Sequence, residues 1–152
     1  MEKIEIFTDG ACSGNPGEAG VGVVIKKGPD VIWRLSKSIG KGTNNIAEYT
    51  AALYALQQAL ILKARDLVLY TDSELLYKQV MGQYKVRHPS IKYLFDLVQH
   101  LITGFDHVDV RYVPREKNKE ADKLARRALK TEQAKVVASG VLFGEESPSS
   151  KG

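Results

Sequence analysis

Apolar residues recur with period two up to about residue 39 and with a helical period from Asn45 onward. This switch restricts the chain to folds that open with a β-meander and continue as helices alternating with strands. Residues 3 to 8 alternate as one strand, and Val21 to Lys27 and Val31 to Ile39 form two more around a turn at Lys27-Gly28-Pro29-Asp30. The Gly-rich segment Asp9 to Gly17 between them reads as a loop. After the switch, Ile46, Tyr49, Leu53, Leu56 and Leu60 mark one helical stripe, and Ala52, Ala55 and Ala59 form a small-residue stripe suited to close contact with a sheet. Leu67 to Thr71 is apolar apart from its ends, as a central strand buried on both faces would be. Ser73 to Val80 and Ile91 to Ile102 read as helices stopped by Gly82 and Gly104, Val108 to Val113 as a fifth strand, and Asn118 to about Thr131 as the last helix. The order β-β-β-α-β-α-α-β-α predicts an α/β fold with a mixed five-stranded sheet. Three antiparallel strands join two parallel ones through helical crossovers, with helices on both faces. Residues 1–138 are expected to form one domain, and 139–152, ending Ser-Pro-Ser-Ser-Lys-Gly, a flexible C-terminal tail.

Four acidic residues stand at the junctions this order creates. Asp9 and Asp72 end apolar strand runs, while Glu48 and Asp122 sit early in amphipathic helices. If the first and fourth strands are parallel neighbours, about 4.8 Å apart, Asp9 and Asp72 come nearly into contact. Carboxylates that close must share a proton or a cation. Oxygen-only donors suit Mg2+ or Mn2+, whose shells substrate phosphate completes. Each acid also has a simpler reading. Asn45-Ile46-Ala47-Glu48 matches a helix capping box, Asp72 an N-cap for the helix at Ser73, and Asp9 a turn former before Gly10. Asp122 has Lys119 and Arg126 within ion-pairing reach. Four separate coincidences at one end of a sheet are less economical than one metal site.

The formal net charge is +4, but Arg111, Arg115, Lys117, Lys119, Lys123, Arg126, Arg127 and Lys130 crowd one segment. A polyanionic partner and a solvated helix face are both consistent with that crowding, and charge alone leaves the two open. Cys12 is the sole cysteine, so no intrachain disulfide forms; it reads as a small loop residue. No apolar run approaches the roughly 18 residues of a membrane span, and the chain opens into a strand pattern rather than a leader. The expectation is a soluble cytoplasmic protein without a membrane partner. The segment Asp9 to Gly17 fits neither the P-loop nor the dinucleotide glycine pattern. Its glycines suit close approach of backbone amides to a sugar-phosphate chain, with a plain tight turn as the alternative.

Four segments then combine: Phe7-Thr8-Asp9-Gly10-Ala11-Cys12-Ser13-Gly14-Asn15-Pro16-Gly17, Thr43-Asn44-Asn45-Ile46-Ala47-Glu48, Tyr70-Thr71-Asp72-Ser73 and Asn118-Lys119-Glu120-Ala121-Asp122. Together they resemble the type 1 ribonuclease H family over about residues 1 to 131. The resemblance implies the ribonuclease H-like version of the mixed sheet and puts the catalytic, metal-binding carboxylates at Asp9, Glu48, Asp72 and Asp122. It implies a monomeric endonuclease that hydrolyses the RNA strand of RNA/DNA hybrids with two Mg2+ ions, or Mn2+ as a substitute, leaving 5'-phosphate and 3'-hydroxyl ends. Gly10, Ala11, Cys12, Ser13, Gly14, Asn15 and Asn44 are the candidates for reading ribose 2'-hydroxyls across the wide minor groove. The resemblance places Asn15 and Asn45 near the DNA strand, and Thr43 with Lys41 at a DNA phosphate.

Two departures from the family pattern stand out. The segment Val113-Pro114-Arg115-Glu116-Lys117 lacks the histidine many members carry before the last aspartate, leaving Arg115 or Glu116 as the candidate auxiliary. His88, His100 and His107 lie elsewhere and read as surface or structural. Only Tyr84-Lys85-Val86-Arg87-His88-Pro89 joins the two middle helices where many members carry a long basic handle, so the expectation is either weaker hybrid affinity or greater dependence on the basic segment around the last helix. Cleavage of double-stranded RNA by the same site, and a catalytically silent hybrid-binding module, are the rival readings. The four carboxylates weigh against silence, because a pure binder gains nothing from negative charge beside a phosphate backbone.

Overall fold

The computed structural model of the protein describes residues 3–139. Its elements are β1 (Ile4–Gly14), β2 (Gly17–Lys27), β3 (Asp30–Gly42), α1 (Asn44–Ile61), β4 (Asp66–Thr71), α2 (Glu74–Val80), α3 (Pro89–Ile102), β5 (His107–Tyr112) and α4 (Lys119–Ser139), with a 3-10 turn at Arg115–Lys117 ahead of α4. Apart from Ser139, the tail expected at 139–152 lies outside the described residues. The strands form one five-stranded sheet in the order β3-β2-β1-β4-β5. β1, β2 and β3 pair antiparallel, whereas β4 pairs parallel to both β1 and β5, as the element order predicts.

Alternation along the strands sorts their side chains between two layers. Ile4, Ile6, Val23, Ile25, Leu67, Leu69 and Val110 face the main core, where they meet Tyr49, Ala52, Ala55, Leu56 and Ala59 of α1 and Ile91 and Val98 of α3. Burying each of the larger side chains contributes roughly 1.5–3 kcal/mol. The alanine stripe of α1 is wholly buried, which lets this helix lie close on the sheet. On the opposite face α4 packs through Ala121, Leu124, Ala125 and Ala128. Its backbone rests on β2 at Gly22, where a Cβ would strike the Ala121 carbonyl and come within 2.7 Å of the Ala125 nitrogen. Only a residue without a side chain permits that approach.

The Gly-rich segment is a hairpin rather than a loop. β1 continues to Gly14 and β2 begins at Gly17, with Gly10, Ala11, Cys12 and Ser13 paired to Val21, Gly20, Ala19 and Glu18. Residues this small carry little hydrophobic alternation, so the backbone ladder that holds them leaves almost no pattern in the sequence.

Candidate active site

Phe7 and Thr8 of β1 stand opposite Tyr70 and Thr71 of β4 in parallel register, so the residues that follow, Asp9 and Asp72, emerge side by side. α1 brings the third acid. Its first turn presses on β1 so closely that a Cβ on Gly10 would lie 2.6 Å from the Glu48 nitrogen. One oxygen from each of Asp9, Glu48 and Asp72 falls within 4.8 Å of the others. Asp122, in the first turn of α4, adjoins Asp9 and interacts with its carboxyl group.

The local alternatives sort themselves by geometry. Thr43, not Asn45, caps α1, its hydroxyl accepting from the Ile46 amide at 3.2 Å, so Glu48 is not spent on a capping box. Ser73, not Asp72, caps α2, accepting from the Leu76 amide at 3.1 Å. Asp9 retains a local bond, its Oδ1 accepting from the Gly10 amide at 2.9 Å. Asp122 does make its expected ion pair, with Arg126 Nε at 3.1 Å from both carboxylate oxygens. Asp122 thus stands beside the three-acid cluster, paired to Arg126 and reaching the Asp9 carboxyl.

Electrostatics make the cluster untenable as bare charge. Asp9 is 4% exposed. Burial above all, then Glu48 and Asp72, pushes its carboxyl up to about 10. Burial and Asp72 push Glu48 up to about 8, while Asp9, the Gly10 amide and the Arg115 guanidinium pull it back. Glu48 Oε1 is buried without a hydrogen-bond partner among the described residues. A donor set made only of carboxylates, one of them with a free buried oxygen, fits a divalent cation.

Asn118 completes the frame. It is 2% exposed, and its Nδ2 donates to the Thr8 carbonyl at 2.8 Å and to Asp72 Oδ2 at 3.2 Å. Its own carbonyl accepts from the Asp122 amide at 3.1 Å. One residue thus ties β1 beside Asp9, the acid after β4 and the start of α4. The sequence shows Asn118 only as part of a motif; its polar partners are distant in the chain, so no local signal assigns it this role.

The substrate candidates gather on one side of the acids. Asn15, at the hairpin tip, accepts from the Asn44 amide at 3.1 Å. With Thr43, Asn45, Ile46, His88 and Ile91, these two residues line an open cavity of about 390 Å3. Gly10, Ala11, Cys12, Ser13 and Gly14 continue β1 from Asp9 toward that tip, and Cys12 Sγ donates to the Gly42 carbonyl at 3.1 Å. Lys41 is exposed on β3 opposite Glu18 and lies outside the lining. His88 caps α3, its Nδ1 accepting from the Ser90 amide at 3.2 Å, and it also lines the cavity, a position its sequence neighbourhood does not betray. Arg115 and Glu116 are exposed on the 3-10 turn; Arg115 acts on Glu48 through its charge.

The chain is similar to several known proteins. The reverse transcriptase-like family profile matches residues 7–128. A bifunctional protein of Mycobacterium tuberculosis is 35% identical over 99% of this chain, which spans 43% of that protein's length. Ribonuclease HI of Halobacterium salinarum is 38% identical over 84% of this chain and 64% of its own. The crystal structure of RNase H1 from Halobacterium salinarum superposes with a TM-score of 0.83 at 37% identity, covering 85% of this chain and 98% of that one. LC11-RNase H1, solved in complex with RNA/DNA hybrid, gives 0.81 at 37% identity, covering 86% and 99%. Fold and sequence agree across nearly the whole of these solved domains, and the chain belongs to the type 1 ribonuclease H family.

Proposed function

We propose that the protein is an endonuclease that hydrolyses the RNA strand of RNA/DNA hybrids, leaving 5'-phosphate and 3'-hydroxyl ends. The observation that carries this reading is the meeting of Asp9, Glu48 and Asp72 within 4.8 Å at the end of the sheet. Support comes from LC11-RNase H1, a relative solved with such a hybrid. Asp9, Glu48, Asp72 and Asp122 would hold two Mg2+ ions, or Mn2+ in their place; when bound, these supply water activation and neutralise charge at the departing 3'-oxygen.

The chain's own residues set the stage for that chemistry. Asn118 and the Gly10 amide orient Asp72 and Asp9, so neither carboxylate must reorganise during the reaction. Glu48 Oε1 has no hydrogen-bond partner among the described residues and is the acceptor left for a ribose hydroxyl beside the cut. The β1 extension from Gly10 to Asn15, with Asn44, faces the minor groove and reads 2'-hydroxyls. Asn15, Asn45, Thr43 and Lys41 receive the DNA strand. Arg115 takes the auxiliary place beside Glu48. The protein acts as a cytoplasmic monomer, and among the described residues no helix is long and apolar enough to cross a membrane.

End-labelled hybrid, duplex RNA and duplex DNA, each incubated with Mg2+, Mn2+ or chelator, test this reading. Metal-dependent cutting confined to hybrid RNA is expected. Binding without cleavage overturns it, and equal cutting of duplex RNA replaces hybrid specificity with a broader one.

A further inference from the structure

We propose that Lys119, Lys123 and Arg127, a stripe on the outward side of α4, form a phosphate-binding track for the nucleic-acid backbone as it leaves the acidic cluster. The inference rests on the ribonuclease H reading above and adds a binding surface to it. With Asp122 and Arg126, the three cations line a shallow concavity of about 540 Å3. Asp122 is the acid that adjoins Asp9, so the concavity opens directly from the catalytic carboxylates.

The stripe runs against the rules that stabilise an isolated helix. Residues four apart lie on the same face, and like charges there repel. Lys119 also sits in the first turn, at the positive end of the helix dipole, where acids are favoured. On the other helices an acid four residues away takes up the neighbouring cation, Lys78 with Glu74 and Lys92 with Asp96, and Arg65 with Asp106 and Arg111 with Asp109 pair across loops and strands. Nothing of the kind reaches Lys119, Lys123 or Arg127 among the described residues. Glu120, the neighbouring acid, turns to Arg34 on β3, and Arg126 is committed to Asp122.

An uncompensated, self-repelling row of charge is explained by an anion that meets it from outside. From Lys119 to Arg127 the helix rises about 12 Å. Each strand of a nucleic-acid duplex carries one charge per about 3.4 Å of axis, so the row spans about three phosphates. A backbone whose phosphate sits at Asp9 and Asp72 has this helix as its neighbour on the α4 side.

The test is equilibrium binding of a fluorescently labelled RNA/DNA hybrid, followed by anisotropy in chelator from 50 to 300 mM KCl. Compared with wild type are Lys123→Ala/Arg127→Ala, the triple variant with Lys119→Ala, and Lys123→Arg/Arg127→Lys. Lys63→Ala/Arg65→Ala, at the other end of β4, is the control. Each lost phosphate contact should reduce the slope of log affinity against log salt by about 0.9, or about 2.7 for the triple variant. Affinity at 100 mM salt should fall by about ten-fold or more, while the charge-conserving and control variants keep wild-type slopes. Relief of the repulsion should leave the triple variant's Tm unchanged or raise it, so weaker binding will not trace to unfolding. A wild-type slope in the triple variant overturns the track alone. Failure of the wild-type protein to bind hybrid removes the ribonuclease H reading and the track with it.

Discussion

Replacing Asp9 by Asn should make the metal-free protein more stable at the same time as it ends turnover. Asp9 is 4% exposed, and oxygens of Glu48 and Asp72 lie within 4.8 Å of its own. At an effective dielectric of about 20, two unit charges at that separation repel by roughly 3–4 kcal/mol. Protonation relieves the repulsion only by holding a proton that the unfolded chain has released, at about 1.4 kcal/mol per pH unit above the ordinary carboxylate value. Asp9 rises from 3.8 to about 10 and Glu48 from 4.5 to about 8 in the folded protein. Both therefore bind protons more tightly folded than unfolded. Their contribution favours the fold below about pH 4 and is lost as the pH rises through those higher values. The acids share protons, so the costs do not add, and about 2–4 kcal/mol at pH 8 is the consistent scale. Asn keeps the shape and removes the charge. Urea unfolding in chelator at pH 8 should show Asp9→Asn more stable by that amount, or by roughly 5–15 °C in Tm. The gain should shrink toward pH 4, and Mg2+ should raise the Tm of wild type but not of the variant. Equal stability at pH 8, or an equal response to Mg2+, would refute the idea that these carboxylates repel one another in a shared site.

Other perturbations probe the frame around the acids. Asn118→Ala leaves the Thr8 carbonyl and Asp72 without their donor; urea unfolding should show a loss of about 1–3 kcal/mol, and a Mn2+ titration should show weaker binding. In Gly10→Ala the new methyl would lie 2.5–2.7 Å from Ala47 and Glu48 atoms. Displacement of α1 should cost about 1–3 kcal/mol in thermal unfolding and lower hybrid cleavage by more than about ten-fold. Thr43→Ala removes the α1 cap and a wall of the 390 Å3 cavity. Stability should drop by about 1 kcal/mol, and the KM for hybrid should rise.

Much of the architecture was legible because period and burial coincide. β4 showed no alternation and proved central, with Leu67, Val68 and Leu69 at most 2% exposed. Asp9 and Asp72 could be paired in advance because both end strand runs, and parallel register does the rest. Glu48 was ambiguous, since the residues around it satisfy a capping pattern; only the position of Thr43 shows which residue takes the cap. Asn118 was invisible as a strut because its partner Thr8 lies 110 positions away. The hairpin beyond Asp9 escaped notice for the opposite reason: its backbone pairing is strong, but its side chains are too small to print a period.

The seating of α4 on β2 at Gly22 governs when the centre becomes whole. Asp9, Glu48 and Asp72 are all supplied within the first half of the chain, whereas Asn118 and Asp122 arrive with the final described helix. A nascent chain with that helix still inside the ribosome holds its Asp72 unbraced and its cluster without Asp122 beside it. Among the described residues, Asp72 is thus braced only after the last helix has formed, at the moment two bare backbones settle against each other.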